Sequence, residues 1–189
     1  MTYGIEGLTS ARDQQLRRRI GWLCQGMRAA ALAYAAWVLA AMVWYWGSED
    51  LVLRYFRTIA QVDLAGISAS RRLAGFAVHF AVWLFAAAAC FSTWRLFTLY
   101  LRGEIFSLGA ARWLRRIGLF GLISQLGDIA SRPLISLIVS ADEAPGHRMV
   151  AAFFNPSDLL NVLFLTGFVA LAHVFTVAAE IADEHSQII

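Results

Sequence analysis

The residues best suited to carry chemistry lie in a long apolar stretch in the second half of the chain. Asp128 is followed one helical turn later by Arg132, and Gln125 precedes Asp128 by three residues. On a helix these spacings place the three side chains along one face, because steps of three and four residues return to nearly the same direction. A carboxylate and a guanidinium in apolar surroundings can hold an ion or a proton, or they can neutralise each other.

Two interpretations of this pair stay open at the sequence level. In the first, Asp128 and Arg132 form a site for an ion, a proton or a small solute. In the second, they form an ion pair beside Pro133 that holds the helices together. Each charged residue costs about +2.5 to +3.5 kcal/mol at the centre of a membrane helix, so this helix needs partners. The structural interpretation is favoured, because no other apolar stretch carries an acid at its centre.

Three further polar residues accompany the other apolar stretches. His79 lies in the second stretch, His173 lies in the fourth, and Glu180 directly follows the fourth. A lone histidine in an apolar helix is typical of an interhelical hydrogen bond. The functional alternative is a proton relay from Glu180 through His173 to Asp128.

Signatures of enzymes and of cofactor sites are absent from the sequence. It contains no phosphate-binding loop, no G-x-S-x-G and no D-x-D motif. The two cysteines and four histidines are scattered, without the spacing of metal ligands. We therefore predict a protein that is not an enzyme, with no catalytic residues, no metal site and no cofactor.

The elements that must position the polar residues are membrane-spanning helices. Of the 189 residues, 59% are hydrophobic and 15% are charged, and the mean hydropathy is +0.60. A soluble domain is about half apolar and about one quarter charged, so the composition excludes a soluble globular enzyme and a disordered tail. The net charge of +3 is too small to indicate direct binding of nucleic acid.

Four apolar stretches have about the roughly 20 residues that a spanning helix requires. These stretches are residues 29–46, 73–94, 117–140 and 159–179. We predict an all-α polytopic membrane protein, a four-transmembrane-helix bundle with amphipathic interfacial helices. Residues 1–28 form its amphipathic N-terminal segment, residues 29–189 its membrane domain, and residues 180–189 a C-terminal tail.

The placement of the arginines predicts the orientation in the membrane. Five arginines precede the first stretch and five lie between the second and third, against four between the first and second and one between the third and fourth. The positive-inside rule then places both termini in the cytoplasm, with the chain in the bacterial inner membrane. The Arg71-Arg72 pair on the outer side runs against this trend.

The connections also carry patterns. Arg112, Arg115 and Arg116 share one helical face, for which the phosphates of membrane lipids are the expected partners and a protein is the alternative. Gly118-x-x-Gly121 permits close helix contact, either within the chain or in a homodimer.

Two shorter predictions concern the remaining connections. Val52, Tyr55, Phe56 and Ile59 predict a short helix on the outer surface. Ser157 or Asp158 is predicted to cap the last span.

A family resemblance adds to this picture. The segment Arg102-Gly103-Glu104-Ile105-Phe106-Ser107, followed by Leu114 and Gly118, resembles the bacterial domain-of-unknown-function family 2975 from about Phe76 onward. The resemblance implies a small four-span membrane protein without an established activity. Some members are encoded beside small helix-turn-helix regulators, and this implies a cytoplasmic regulator as a partner.

Two hypotheses for the function follow. The leading one is a non-enzymatic membrane protein that binds or regulates such a partner through residues 103–116 and the C-terminal tail. The alternative is a small transporter, a channel component or a proton-linked sensor that uses Asp128, Arg132 and His173.

Overall fold

The architecture was determined from a computed structural model, which describes residues 3–60, 66–105, 107–141 and 154–186. Side chains are described for residues 21–58, 66–105, 107–141 and 154–180. In chain order the helices are α1 (Tyr3–Gly47), α2 (Glu49–Tyr55), a π-helical turn (Phe56–Ala60), α3 (Ala69–Leu101), α4 (Leu108–Val139) and α5 (Pro156–Ser186). The part of the chain that the structure describes is thus all-α, as predicted.

Four of these helices are long and apolar enough to cross a membrane. The corresponding segments are Gly21–Gly47, Ala69–Leu101, Leu108–Val139 and Pro156–Glu180. The prediction of four membrane helices is confirmed. The third one begins well before residue 117, because the Ser107 hydroxyl accepts a hydrogen bond from the Ala110 N–H at 3.1 Å and caps α4 directly after a tight turn.

The four long helices pack in the order α1, α3, α4, α5. Helix α3 contacts both α1 and α4, and α5 packs against the other side of α4. Among the described residues, α1 and α5 share no extensive contact. A Cβ atom on Gly118 would lie 2.6 Å from Val169 Cγ2 and one on Gly121 would lie 2.6 Å from Leu165 Cδ2. The two glycines therefore permit close contact within the chain, which was one of the two alternatives.

Two apolar clusters lie toward opposite ends of the helices. One contains Trp46, Val52, Phe56, Ile67, Ile135 and Val139. The other contains Leu96, Ala110, Leu114 and Ala172. The predicted short helix after the first span is present as α2, but Val52 and Phe56 are buried in the protein and do not cover a membrane surface. Their burial joins the connection to the ends of α1 and α4.

The side chains of Arg71 and Arg72 donate hydrogen bonds to the C-terminal ends of two other helices. Arg71 Nη1 donates to the carbonyl of Val139 at 3.2 Å, and Arg72 Nη1 donates to the carbonyl of Gly47 at 3.4 Å. These carbonyls end α4 and α1, where the helix dipole favours a cation. A structural role thus accounts for the arginine pair that ran against the predicted orientation.

Some predicted features lie outside the described residues. These are Phe106, most of the third connection, the side chains of Ile59, of residues 3–20 and of the tail from residue 181, and the last residues 187–189.

Candidate intramembrane ion site

The polar face of α4 forms as the spacing predicts. Helix α4 continues through Pro133, and Arg132 Nη2 lies 2.8 Å from Asp128 Oδ2. Gln125 lies on the same face, one turn before Asp128. The i, i+4 geometry sets these positions within a single helix.

A second carboxylate reaches the same guanidinium from α5. Arg132 Nη1 donates to Asp158 Oδ2 at 2.6 Å, and Arg132 Nη2 donates to Asp158 Oδ1 at 2.8 Å. Two parallel hydrogen bonds between a guanidinium and a carboxylate are both strong and specific in geometry. The sequence does not indicate this partner, because the spacing that aligns Gln125, Asp128 and Arg132 concerns one helix only.

The start of α5 explains how Asp158 is held in place. Pro156 occupies the first helical position, where its fixed φ and missing N–H do no harm. Asp158 Oδ2 accepts a hydrogen bond from the N–H of Asn155 at 2.9 Å, as the third residue of a helix does in a capping box. The helix therefore begins earlier than a cap at Ser157 or Asp158 predicts, and both residues lie within its first turn. The Asp158 carboxylate that accepts the Asn155 N–H also binds Arg132. One feature of the sequence could have indicated that Asp158 pairs with Arg132. It is the presence of an acid in the first turn of the helix that follows α4 and packs antiparallel to it.

Two amides extend this network. Gln125 Nε2 donates to Asp158 Oδ1 at 3.2 Å, and Asn161 Nδ2 donates to Gln125 Oε1 at 3.3 Å. Together with the two ion pairs they form a continuous set of hydrogen bonds between α4 and α5. We call Gln125, Asp128, Arg132, Asp158 and Asn161 the α4–α5 polar cluster.

The charges in this cluster do not balance. It contains two carboxylates and one guanidinium, so it carries one excess negative charge when both acids are ionised. The side chains of Arg132 and Asp158 are 16% and 4% exposed, whereas that of Asp128 is 44% exposed. The Arg132–Asp158 pair is therefore shielded from solvent, whereas the excess negative charge is accessible at the Asp128 carboxylate.

Asp128 opens into a cavity between three helices. The cavity has a volume of about 460 Å³ and is lined by α1, α3 and α4. Its polar and aromatic lining includes Tyr34, Tyr45, His79, Trp83, Gln125 and Asp128. Asp128 is the acidic residue in this lining, and the remaining lining residues carry no fixed charge. The cavity therefore presents one carboxylate in otherwise aromatic and apolar surroundings.

His79 joins α3 to α1 at this cavity. Trp46 Nε1 donates to His79 Nδ1 at 2.9 Å, so the neutral imidazole carries its proton on Nε2. This is an interhelical hydrogen bond of the predicted kind. Gly75 makes room for it, because a Cβ atom there would lie only 2.1 Å from Trp46 Cη2.

Tyr55 of α2 stands close enough to the polar cluster to sense its charges. Burial raises the pKa of the Tyr55 phenol; the positive charge of Arg132 opposes this shift and the negative charge of Asp128 adds to it. The Tyr55 phenol is therefore neutral at ordinary pH.

The other predicted site residues lie elsewhere. His173 and Glu180 are exposed on α5, and His173 is about 22 Å along the helix axis from Asp158 at 1.5 Å per residue. The structure does not bring them to Asp128. Arg112, Arg115 and Arg116 are exposed near the start of α4, about 24 Å or more along the axis from Arg132.

The comparison with protein families covers the whole α4–α5 polar cluster. The family model described as "Protein of unknown function (DUF2975)" matches residues 60–189, about two thirds of the chain. The chain belongs to this family. The resemblance seen at residues 102–118 is therefore confirmed, and α1 with its share of the cavity precedes the matched part. No curated protein and no solved structure matches the chain.

Proposed function

We propose that this membrane protein is not an enzyme and that it binds a cation at Asp128, as a small transporter or a proton-linked sensor does. The observation that carries the proposal is the sharing of Arg132 between two carboxylates, of which Asp128 opens into the cavity. This observation favours the interpretation of Asp128 and Arg132 as an ion site. A pair that served only to neutralise itself would not need the second carboxylate, that of Asp158.

The physical argument starts from the cost of an uncompensated charge in a membrane. A charged group at membrane depth is stabilised by a partner of opposite charge, by water or by a proton. Asp158 has its partner in Arg132 and is closed to solvent. Asp128 must share that same guanidinium, so a proton or another cation in the cavity would complete its neutralisation.

The groups around Asp128 favour this exchange. Tyr45 and His79 line the cavity with polar atoms that carry no fixed charge, and Arg132 is the cation that is paired with Asp128. A cation that enters the cavity therefore meets an accessible carboxylate.

The test measures protons that are released when a cation binds. The purified protein is placed in lipid nanodiscs in weakly buffered solution at a series of mildly acidic pH values. Sodium chloride or tetraphenylphosphonium chloride is then added, and proton release is recorded. In parallel, infrared difference spectra follow the carboxylic acid band, which assigns the proton to Asp128 if the band is missing in Asp128→Asn.

We expect at least one of the two cations to release protons from the native protein and not from Asp128→Asn. Glu104→Gln is the matched control, since it removes one exposed carboxylate remote from the cavity. If neither cation releases more protons from the native protein than from Asp128→Asn, the proposal is wrong.

The proposed location is the bacterial inner membrane with both termini in the cytoplasm. Arginines stack on tryptophans at one end of the helices: Arg28 lies 5.0 Å from the Trp94 ring, and Arg95 and Arg116 lie 5.4 and 4.5 Å from that of Trp113. Arginine and tryptophan together are typical of a membrane interface, and the excess of arginine favours the cytoplasmic one.

A second candidate function is the binding of a cytoplasmic regulator, such as a small helix-turn-helix protein. The exposure of Arg112, Arg115 and Arg116 near the start of α4 favours it, although lipid phosphates suit the same face. Crosslinking in native membranes followed by mass spectrometry tests it. A soluble DNA-binding protein that is recovered with the native chain, and lost when all three arginines are replaced by glutamine, would support it. Recovery of only the chain itself and lipid would contradict it.

A further inference from the structure

We infer that the cavity between α1, α3 and α4 binds a lipophilic organic cation, with Asp128 as the counter-ion. The inference rests on the proposed function and adds the chemical class of the ligand. Three properties of the cavity support it, namely its volume, its lining and its charge.

The volume is that of a site for an organic molecule. At about 460 Å³ the cavity lies within the range of roughly 300 to 1,000 Å³ that is usual for small-molecule sites. A bare metal ion needs several oxygen ligands within bonding distance, whereas the lining contributes one carboxylate among mostly apolar side chains. A larger, weakly hydrated ligand fits this surface better.

The lining that α1 and α3 contribute to the cavity is partly aromatic. Tyr34 and Tyr45 come from α1 and Trp83 comes from α3. The face of an aromatic ring attracts a cation, and tryptophan does so most strongly. Aromatic rings and one carboxylate together are a recognition surface for an ammonium or phosphonium group.

Two of these rings, Trp83 and Tyr45, are held in place by contacts within the protein. Trp83 Nε1 donates to the carbonyl of Ala35 at 3.2 Å, and the Trp83 ring stacks on Phe80 at 5.4 Å. Tyr45 makes edge contacts with Trp46 at 5.3 Å and with Tyr55 at 5.8 Å. Rings that are already ordered lose little further freedom when the ligand binds.

The location of the cavity selects for a lipid-soluble ligand. Its lining residues belong to the membrane-spanning segments of α1, α3 and α4. A ligand must therefore be apolar enough to enter this depth and must carry a positive charge to pair with Asp128. An anion of the same shape meets the excess negative charge of the polar cluster and is repelled.

The experiment uses two probes of nearly equal size and opposite charge. Binding of radiolabelled tetraphenylphosphonium and tetraphenylborate to the full chain in nanodiscs is measured by equilibrium dialysis, with empty nanodiscs subtracted. We expect saturable binding of the phosphonium and none of the borate.

Variants then locate the site. Asp128→Asn is expected to weaken phosphonium binding at least about tenfold, and Trp83→Leu about fivefold to thirtyfold, which corresponds to the loss of one cation–π contact. Ala86→Phe fills the cavity without changing its charge and should abolish binding. Glu104→Gln should bind like the native chain, and thermal unfolding verifies that each variant is folded.

The outcomes separate this inference from the proposed function. Equal binding of both probes, or unchanged phosphonium binding in Asp128→Asn and Ala86→Phe, would overturn the inference. If sodium releases protons from Asp128 while the phosphonium does not bind, the ligand class is wrong and the cation site stands. If neither cation acts on Asp128, both are wrong.

Discussion

Asp158, in the first turn of α5, holds Arg132 of α4 with both of its carboxylate oxygens, at 2.6 and 2.8 Å. The same carboxylate accepts the N–H of Asn155 at 2.9 Å and so also caps its own helix. Arg132 therefore has a complete partner without Asp128. This assigns different tasks to the two acids, since Asp158 fastens α5 to α4 and Asp128 faces the cavity.

The two acids should differ in their effect on stability. We expect Asp158→Asn to lower the free energy of unfolding clearly more than Asp128→Asn does, because it disrupts the two parallel hydrogen bonds that join α5 to α4. Asp128→Asn should change it by about 1 kcal/mol or less, as is usual for a half-exposed pair. Unfolding of the purified variants in detergent or nanodiscs measures both. Equal losses would contradict the division of tasks.

The double replacement Asp128→Leu with Arg132→Leu should not restore stability. If Asp128 and Arg132 neutralised only each other, as the structural interpretation of the sequence holds, their joint replacement would cost no stability. In the structure it leaves Asp158 without its guanidinium partner, so we expect the double variant to unfold more readily than the native protein. Adding Asp158→Asn should recover most of that loss. The free energy of unfolding of the double and triple variants tests this prediction. A double variant as stable as the native protein would contradict it.

Gly118→Ala should destabilise the contact between α4 and α5 more than Gly121→Ala. A Cβ atom on Gly118 would meet backbone atoms, at 3.0 Å from Val169 N and 3.2 Å from Leu165 O, whereas one on Gly121 would meet the movable end of the Leu165 side chain at 2.6 Å. We expect a loss of about 1–3 kcal/mol for the first and less than about 1 kcal/mol for the second. Gly167→Ala, with nothing within 4 Å, is the control in the same unfolding assay.

Gly75→Ala should break the hydrogen bond between Trp46 and His79. The added Cβ atom would lie 2.1 Å from the Trp46 ring, so the indole must move. The indole N–H signal in ¹⁵N NMR, assigned by its loss in Trp46→Phe, should shift and the protein should unfold at a lower temperature. Gly26→Ala has open space around it and should change neither quantity. An unshifted signal in Gly75→Ala would mean that Trp46 does not occupy this position.

Cysteine labelling should reveal the orientation of the chain. In a background with Cys24 and Cys90 replaced by alanine, Asp50→Cys and Glu104→Cys place single thiols at exposed positions on opposite sides of the membrane helices. We expect a membrane-impermeant maleimide to label Asp50→Cys in intact cells and to reach Glu104→Cys only after permeabilisation. The reverse pattern would place both termini outside.

The sequence by itself determined the elements and the polar face of α4. Apolar stretches of sufficient length predict membrane helices, because backbone groups at membrane depth must bond within the helix. The alignment of Gln125, Asp128 and Arg132 follows from helical spacing, which depends on one helix alone.

The tertiary structure decided which residues complete the site. Asp158 reaches Arg132 across 26 residues of sequence, and Trp46 reaches His79 across 33. Such contacts depend on the rotation and depth of each helix against its neighbour. These are set by packing, such as the fit of Val169 against Gly118, and no pattern within one helix contains that information. The pairing of α4 with α5, and the excess charge that Asp128 presents to the cavity, therefore arise only when the helices are assembled.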